Sequence, residues 1–223
     1  MNFKQIIDLS IPITSATPIY PGDPKPDIHP AAELDKDGYQ VTQLNIGSHT
    51  GTHVDAPFHF QKEGERIDQS SLTKFMAPGL VIDVTGKEPG EEITMSDVQD
   101  QIEQVIPGTI VLFHTGWSKY AESELYFRHP YLSVDIINDL LEKGVTTFFI
   151  DALNVDPPDG SAFPVHEAIT SVNGIIGENF CNFEKIDFEN PLIIALPLKL
   201  EGLDGSPVRA VAVEVEYFSR LVR

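Results

Sequence analysis

Two apolar runs set the terms for this chain: "GLVIDVTG" (79–86) and "GTIVLFHTG" (108–116). Each is short and bounded by glycine, which is the signature of a buried strand. Amphipathic stretches follow them. "TMSDVQDQIEQVI" (94–106) reads as a helix opened by Thr94 or Ser96 and stopped by Pro107. "SVDIINDLLEKGV" (133–145) has Ser133 as N-cap, apolar residues at Val134, Ile137, Leu140 and Leu141, and Gly144 as its stop. It feeds directly into "TTFFIDAL" (146–153), a strand ending near Asp151.

Upstream, "IIDLSIPIT" (6–14) alternates enough for a first strand, and "PIYPGDPKPDIHP" (18–30) reads as a proline-rich loop. "YQVTQLNIGSHTGTHVDA" (39–56) reads as one long strand. Near the C-terminus "PLIIALPLKL" (191–200) and "VRAVAVEVEYF" (208–218) flank "EGLDGSP", where Asp204-Gly205 suits a reversing turn. Strands outnumber helices, so the expected fold is mixed α/β with a strand-rich core. No repeat, low-complexity tract or linker divides the 223 residues, and a single domain spanning 1–223 is expected.

The formal net charge is −19, from 34 acidic and 15 basic residues. A field of that sign repels phosphate backbones and anionic lipid, which argues against nucleic-acid or membrane partners. It suits attraction of divalent cations, although a surface tuned for solubility has the same balance. Cys181 is the single cysteine, so no intrachain disulfide can form and any metal must be held by nitrogen and oxygen. The opening "MNFKQIIDLSIPIT" is neither a secretory signal nor a membrane span, and no later window reaches the ~20 apolar residues of a span. A cytoplasmic location is the default expectation, with a removed leader as the alternative.

The stretch "SHTGTHVDAPFHF" (48–60) carries His49, His53, Asp55 and His59, all on odd positions. Gly51, the threonines, Val54 and Pro57 argue against a helix. In a strand, side chains two apart point the same way, so all four would face one side. His49 and His53 would nevertheless lie ~13 Å apart in a straight strand, at ~3.3 Å per residue. Both could reach one ion only if the backbone bends, which Gly47 and Gly51 permit. The bland alternative is a polar sheet face whose histidines are satisfied by neighbours. Three imidazoles and a carboxylate on one parity favour metal binding instead, and a His-His-Asp set leaves coordination positions open for chemistry. His166 and Glu178, twelve residues apart in "DPPDGSAFPVHEAITSVNGIIGENF" (156–180), are the further candidate ligands. Glu167, Asp151, Asp156 and Asp159 are alternative carboxylates.

The run His49-Thr50-Gly51-Thr52-His53-Val54-Asp55-Ala56-Pro57-Phe58-His59 resembles the hallmark of the cyclase-type metal-dependent hydrolases, which include bacterial kynurenine formamidases and isatin hydrolases. The likeness extends through "IYPGDPKP", "HTGW", "VHEAITSVNGIIGEN" and "LDGSPVRAVAV". It implies a swivelling β/β/α fold and assembly as a homodimer or homotetramer. His49, His53 and Asp55 match the ligands of one metal. Asp55 would bridge to a second held by His166, with Glu178 reaching both, and His59 matches the general acid/base. The resemblance implies zinc, or manganese as the alternative, in one or two sites. Two positions depart from the pattern. Tyr20 stands where formamidases carry a substrate-contacting tryptophan, and it adds a hydroxyl to the stacking face. His114 stands where arginine often precedes Thr-Gly-Trp, and it reads as a strand-end histidine packed under a turn.

No G-x-S-x-G elbow, Walker loop or dinucleotide fingerprint occurs, which argues against serine catalysis and nucleotide cofactors. The expected enzyme is a metal-dependent amidohydrolase opening a C–N bond other than a peptide bond. Its expected small-molecule substrate is an aryl formamide such as N-formylkynurenine. A divalent ion would activate water and His59 would shuttle the proton to the departing nitrogen. Tyr20, Phe60, Phe163 and Trp117 could line an aromatic pocket, with ordinary core as the competing reading for Phe163 and Trp117. Isatin-type lactam hydrolysis is the alternative within this chemistry. A metal-dependent cyclase or dehydratase and a metal-binding protein without turnover are the other classes.

Overall fold

The buried runs become the centre of one sheet. A computed structural model describes residues 2–103 and 105–216. In chain order the strands are β1 (Asn2–Asp8), β2 (Asp27–Ala32), β3 (Val41–Asn45), β4 (His53–Asp55), β5 (Met76–Asp83), β6 (Glu92–Ile93) and β7 (Ile110–His114). They continue with β8 (Tyr131–Leu132), β9 (Thr147–Ile150), β10 (Ile175–Glu178), β11 (Leu192–Ile194), β12 (Gly205–Pro207) and β13 (Val211–Glu216). The helices are α1 (Leu34–Asp37), α2 (Met95–Ile102), α3 (Val134–Glu142) and α4 (Pro164–Ser171). Nine strands form a single sheet in the order β1-β13-β11-β5-β7-β9-β10-β4-β12, while β2-β3 and β6-β8 make separate pairs.

Within the large sheet β5, β7, β9 and β10 are mutually parallel neighbours. Parallel neighbours need a crossover, and α2, α3 and α4 supply the three. Side chains alternate between faces as strand geometry requires. Val111, Phe113, Phe148, Ile150 and Ile176 pack with Val98, Ile136, Ile137, Leu140, Val165 and Ile169 of the helices. Ile110, Leu112, Phe149 and Ile175 face the other way, onto Leu9, Val54, Phe75, Phe180 and Ile193. With helices gathered on one face, the architecture is mixed α/β with a strand-rich core, as expected. Among the described residues no helix is long and apolar enough to cross a membrane.

The N-terminal signals operate as read for the two expected helices, but α2 ends at Ile102, short of the expected stop at Pro107. Thr94 precedes α2, and its N–H donates to Asp97 Oδ2 at 2.7 Å. Ser133 Oγ accepts from the Asp135 N–H at 3.2 Å, and Gly144 closes the segment at φ +83°. Gln104, inside the expected 94–106 helix, lies outside the described residues.

Several expectations need correction. The first strand is Asn2–Asp8 and does not continue to residue 14. The end of the proline-rich loop is strand β2, where Pro30 is tolerated because the two-stranded β2-β3 sheet has only edges. The long strand over 39–56 is two strands separated by a loop. Gly51 breaks it at φ +68°, a left-handed conformation that glycine adopts without steric cost. Helix α4 opens on Pro164, which is tolerated at a first helical position, but three β-branched residues, Val165, Ile169 and Thr170, give it weak propensity; its stability comes from burying Val165, His166 and Ile169. The C-terminal strand is β13, and Tyr217 and Phe218 of the expected 208–218 strand lie outside the described residues. The reversal expected at Asp204-Gly205 occurs earlier, at Gly202 with φ +76°, and Gly205 already begins β12.

Phe149 is fully buried and stacks on Phe180 at a centroid distance of 4.4 Å. Phe149→Ala should destabilise the fold by about 3–5 kcal/mol, the usual cost of emptying an aromatic core site. Chemical denaturation monitored by circular dichroism measures it.

Candidate active site

Strand β4 lies between β10 and β12, antiparallel to both, with His53 opposite Glu178 on one side and Pro207 on the other. His53 and Asp55 are two apart on this strand and therefore point the same way. His53 Nε2 is 3.2 Å from Asp55 Oδ1 and 3.6 Å from Glu178 Oε2. The expected strand parity thus holds for this pair. His49 and His59 reach the same place by other means. The turn at Gly51 folds His49 back, so that its Nδ1 lies 2.6 Å from Asp55 Oδ1. Pro57 opens a turn of 3-10 helix through His59. That turn lays the His59 ring over His49, with centroids 4.1 Å apart and planes inclined by 34°. His166, on the first turns of α4, places Nε2 3.5 Å from Asp55 Oδ2 and 3.6 Å from Glu178 Oε1. The five residues expected as ligands are thereby brought together around Asp55, with His59 alongside.

Each of three imidazoles is held from behind by an acceptor. His53 Nδ1 donates to the Gly51 carbonyl at 2.8 Å. His166 Nδ1 meets Asp156 Oδ2 at 2.6 Å, and His49 Nε2 meets Asp204 Oδ2 at 3.0 Å. A carbonyl oxygen can only accept, so the proton of His53 sits on Nδ1 and its Nε2 is free to face inward. The other nitrogens of His49 and His166 also face Asp55. Outer acceptors of this kind fix ring orientation and raise the basicity of the inward nitrogen. Asp156 also accepts from the N–H groups of Val165 and His166 at 2.8 and 3.0 Å, which ties the α4 N-terminus to the ring it carries. The sequence presents Asp156 only as one of several spare carboxylates and Asp204 as a turn residue. No spacing rule singles out either.

The charges in this cluster are unbalanced. Burial would lower the His49 pKa, but Asp55 and Asp204 outweigh it and raise it to about 11. His166 is likewise raised to about 10, because Asp156, Asp55 and Glu178 overcome the effect of burial. Burial and the Asp55 charge together push Glu178 up to about 8. Asp55 itself is held well below the usual carboxylate range: burial opposes this, but His49, His53 and His166 prevail. Asp55 Oδ2 is the one buried side-chain nitrogen or oxygen among the described residues that lacks a hydrogen-bond partner. Such an atom is costly unless something completes it. The inward nitrogens of His49 and His53 beside Asp55 Oδ1, that of His166 beside Oδ2, and the Glu178 carboxylate beside His53 and His166 form a donor set that fits a divalent ion. His49, Asp55 and His59, and separately His53, Asp55 and Glu178, offer ligand atoms within 4.8 Å of one another.

Above the cluster lies a cavity of about 220 Å³. Tyr20, Phe60, Phe163 and Leu153 supply its apolar wall, and Asp23, Asn154 and Asn179 polar positions. Phe60 sits 4.5 Å from the His166 ring and 5.4 Å from Phe163, while Tyr20 lies 6.4 Å from Phe163. Trp117 does not belong to this wall. It is buried in the helix-side core, its Nε1–H donates to the Tyr126 carbonyl, and it packs on Tyr120. His114 ends β7, its carbonyl accepts from Val84 N–H at 3.0 Å, and it takes no part in the cluster. Asp151 is spent on structure, accepting from Thr115 N, Thr115 Oγ1 and Gly116 N at 2.7, 2.6 and 2.9 Å.

Residues 7–157 match the family described as putative cyclase. The chain is 32% identical over 212 residues to a kynurenine formamidase of Salinibacter ruber, covering 92% of this chain and 96% of the relative. The structure superposes on an isatin hydrolase bound to the product analogue thioisatinate with a TM-score of 0.88, at 26% identity over 95% of this chain and 93% of the other. A potential metal-dependent hydrolase with cyclase activity gives a TM-score of 0.79 at 25% identity, over 96% and 99% of the two chains.

Two outcomes follow from the geometry. At pH 7, His49, His166 and Glu178 all have values above the ambient pH and so carry protons. Adding zinc to metal-stripped protein should displace them, and calorimetry in buffers of different ionisation enthalpy should register net proton release. Asp156→Ala should weaken zinc affinity by about 10–100-fold, measured by competition with a chromophoric chelator.

Proposed function

We propose that this chain, which belongs to the putative cyclase family and is a hydrolase of C–N bonds outside peptides, acts on an aryl formamide such as N-formylkynurenine. The observation that carries the reading is the convergence of three imidazoles and two carboxylates beneath an aromatic cavity. His49, His53 and Asp55 would hold one divalent ion, and Asp55, His166 and Glu178 a second. Zinc is the first choice, since imidazole nitrogens lead the donor set, and manganese the alternative. Such an ion supplies water with a lowered pKa and polarises the carbonyl of the scissile amide.

The protein's own groups do the rest. Tyr20, Phe60 and Phe163 bind the aryl ring and lay the formamide over the cluster. Asp156 and Gly51 keep the His166 and His53 rings from turning. His59 is the most exposed histidine of the group, with 32% of its side chain accessible, and it lines the cavity. It takes the proton released as water adds to the formyl carbon and delivers it to the departing nitrogen. The balance is one water consumed, the C–N bond broken, and formate and the free arylamine released.

A lactam of the isatin type is the second reading, favoured by one observation. None of the twelve residues lining the cavity is lysine or arginine, so an uncharged bicyclic amide meets every group it needs there. Homodimer or homotetramer assembly is supported by the β2-β3 hairpin and α1, which leave Leu34, Tyr39, Val41 and Leu44 exposed.

The zinc-loaded protein should release formate from N-formylkynurenine, measured by coupled formate oxidation. Ring opening of isatin without formate release would move the assignment to the lactam, and no turnover of either would refute it. His59→Ala should lower kcat by about 10²–10⁴-fold with metal content unchanged. His53→Ala should lose metal as well, by elemental analysis.

A further inference from the structure

The segment Leu203–Pro207 reads in the sequence as a connection, yet it enters the site from the strand next to β4. In β12, Gly205 pairs with Asp55, and the Asp204 carbonyl accepts from Ala56 N–H at 2.8 Å. These bonds fix the backbone of Asp204 beside the metal cluster. Its Oδ2 then lies 3.0 Å from His49 Nε2 and 3.7 Å from His59 Nδ1. The first is a hydrogen bond, whereas the second is an ion-pair contact too long for one. The two rings are stacked 4.1 Å apart, so one carboxylate touches the edges of both. Gly205 makes room for this. A Cβ there would lie 2.9 Å from His49 Cε1, closer than real Cβ atoms come.

We infer that Asp204 is a positioning residue that joins the metal site to the proton shuttle. Its carboxylate holds His49 Nε2–H so that Nδ1 faces Asp55, with which it would hold an ion, and it anchors His59 against the His49 ring, over the cavity. Two tasks that would otherwise depend on separate supports are coupled through one side chain. Such outer acceptors are worth about 10–100-fold in metal affinity or activity elsewhere. The inference rests on the metal-dependent reading above and adds to it a residue and a geometry.

The test compares wild type with Asp204→Ala, Gly205→Ala and Glu201→Gln, the last an exposed charge on the neighbouring turn. Three quantities are read: zinc affinity by chelator competition, kcat and KM on whichever of N-formylkynurenine and isatin is turned over, and nitrogen-15 imidazole spectra of the zinc-loaded protein. Asp204→Ala should lower zinc affinity and kcat each by at least about tenfold with KM within about threefold. The His49 and His59 ring signals should move while those of His53 and His166 stay. Gly205→Ala should act in the same direction by displacing the His49 ring and the Val54 carbonyl, each 2.9 Å from the added Cβ, and Glu201→Gln should change none of the three. A fall smaller than tenfold in either quantity, or unmoved His49 and His59 signals, overturns the inference. So does a loss of thermal stability alone. If wild type turns over neither substrate, the proposed function fails, and the zinc and spectral arms still decide the role of Asp204.

Discussion

Asp55 is a carboxylate taken almost entirely out of water, with one oxygen bonded to His49 and the other without a hydrogen-bond partner. An uncompensated buried charge costs several kcal/mol, so the surroundings of this residue must supply positive charge or proton donors. The architecture is the means of bringing them there. β4 is three residues long and fully buried, yet it is flanked by strands from distant parts of the chain. One flank delivers Glu178, the other Asp204, and the crossover helix between β9 and β10 delivers His166.

That arrangement produces a site with two layers. The inner layer is a set of nitrogens and carboxylate oxygens aimed at a common space. The outer layer is Gly51 O, Asp156 and Asp204, each fixed by its backbone surroundings. Asp156 is bound to the first turn of α4, and Asp204 to the edge of β4. A ring held from behind by a group on a rigid element does not need to reorganise when it receives a ligand or a proton. This is the physical content of a pre-organised centre. The position of the cluster follows a general rule, since Glu178 ends a parallel strand and ligands in α/β sheets collect beyond such ends.

The cavity adds selectivity to this chemistry. Its aromatic side chains come from three segments remote in sequence: Tyr20 from the proline-rich loop, Phe60 from the turn after β4, and Phe163 from the approach to α4. Flat apolar walls above a polar floor suit a planar aryl amide whose carbonyl must reach the cluster.

Much of this protein is legible in its amino-acid order. The buried runs, the caps at Thr94 and Ser133, and the stop at Gly144 act within a few residues, so local chemistry alone specifies them. The histidine-aspartate run marks itself by residue type as a set of candidate metal ligands, because that many potential ligands rarely gather by chance. The need for a bend and the glycine that makes it, Gly51, are legible too; what sequence does not supply is that His59 reaches the cluster through a 3-10 turn and not by strand parity. Nor does it single out Asp156 from the spare carboxylates Glu167, Asp151 and Asp159, or show that Asp204 is more than a turn residue among the 34 acidic residues of the chain. Their roles come from strand pairing and helix docking across long sequence separations, where a carboxylate's meaning is set by the ring it faces. The identity of the chemistry is local; its aim and support are decided only by tertiary contact.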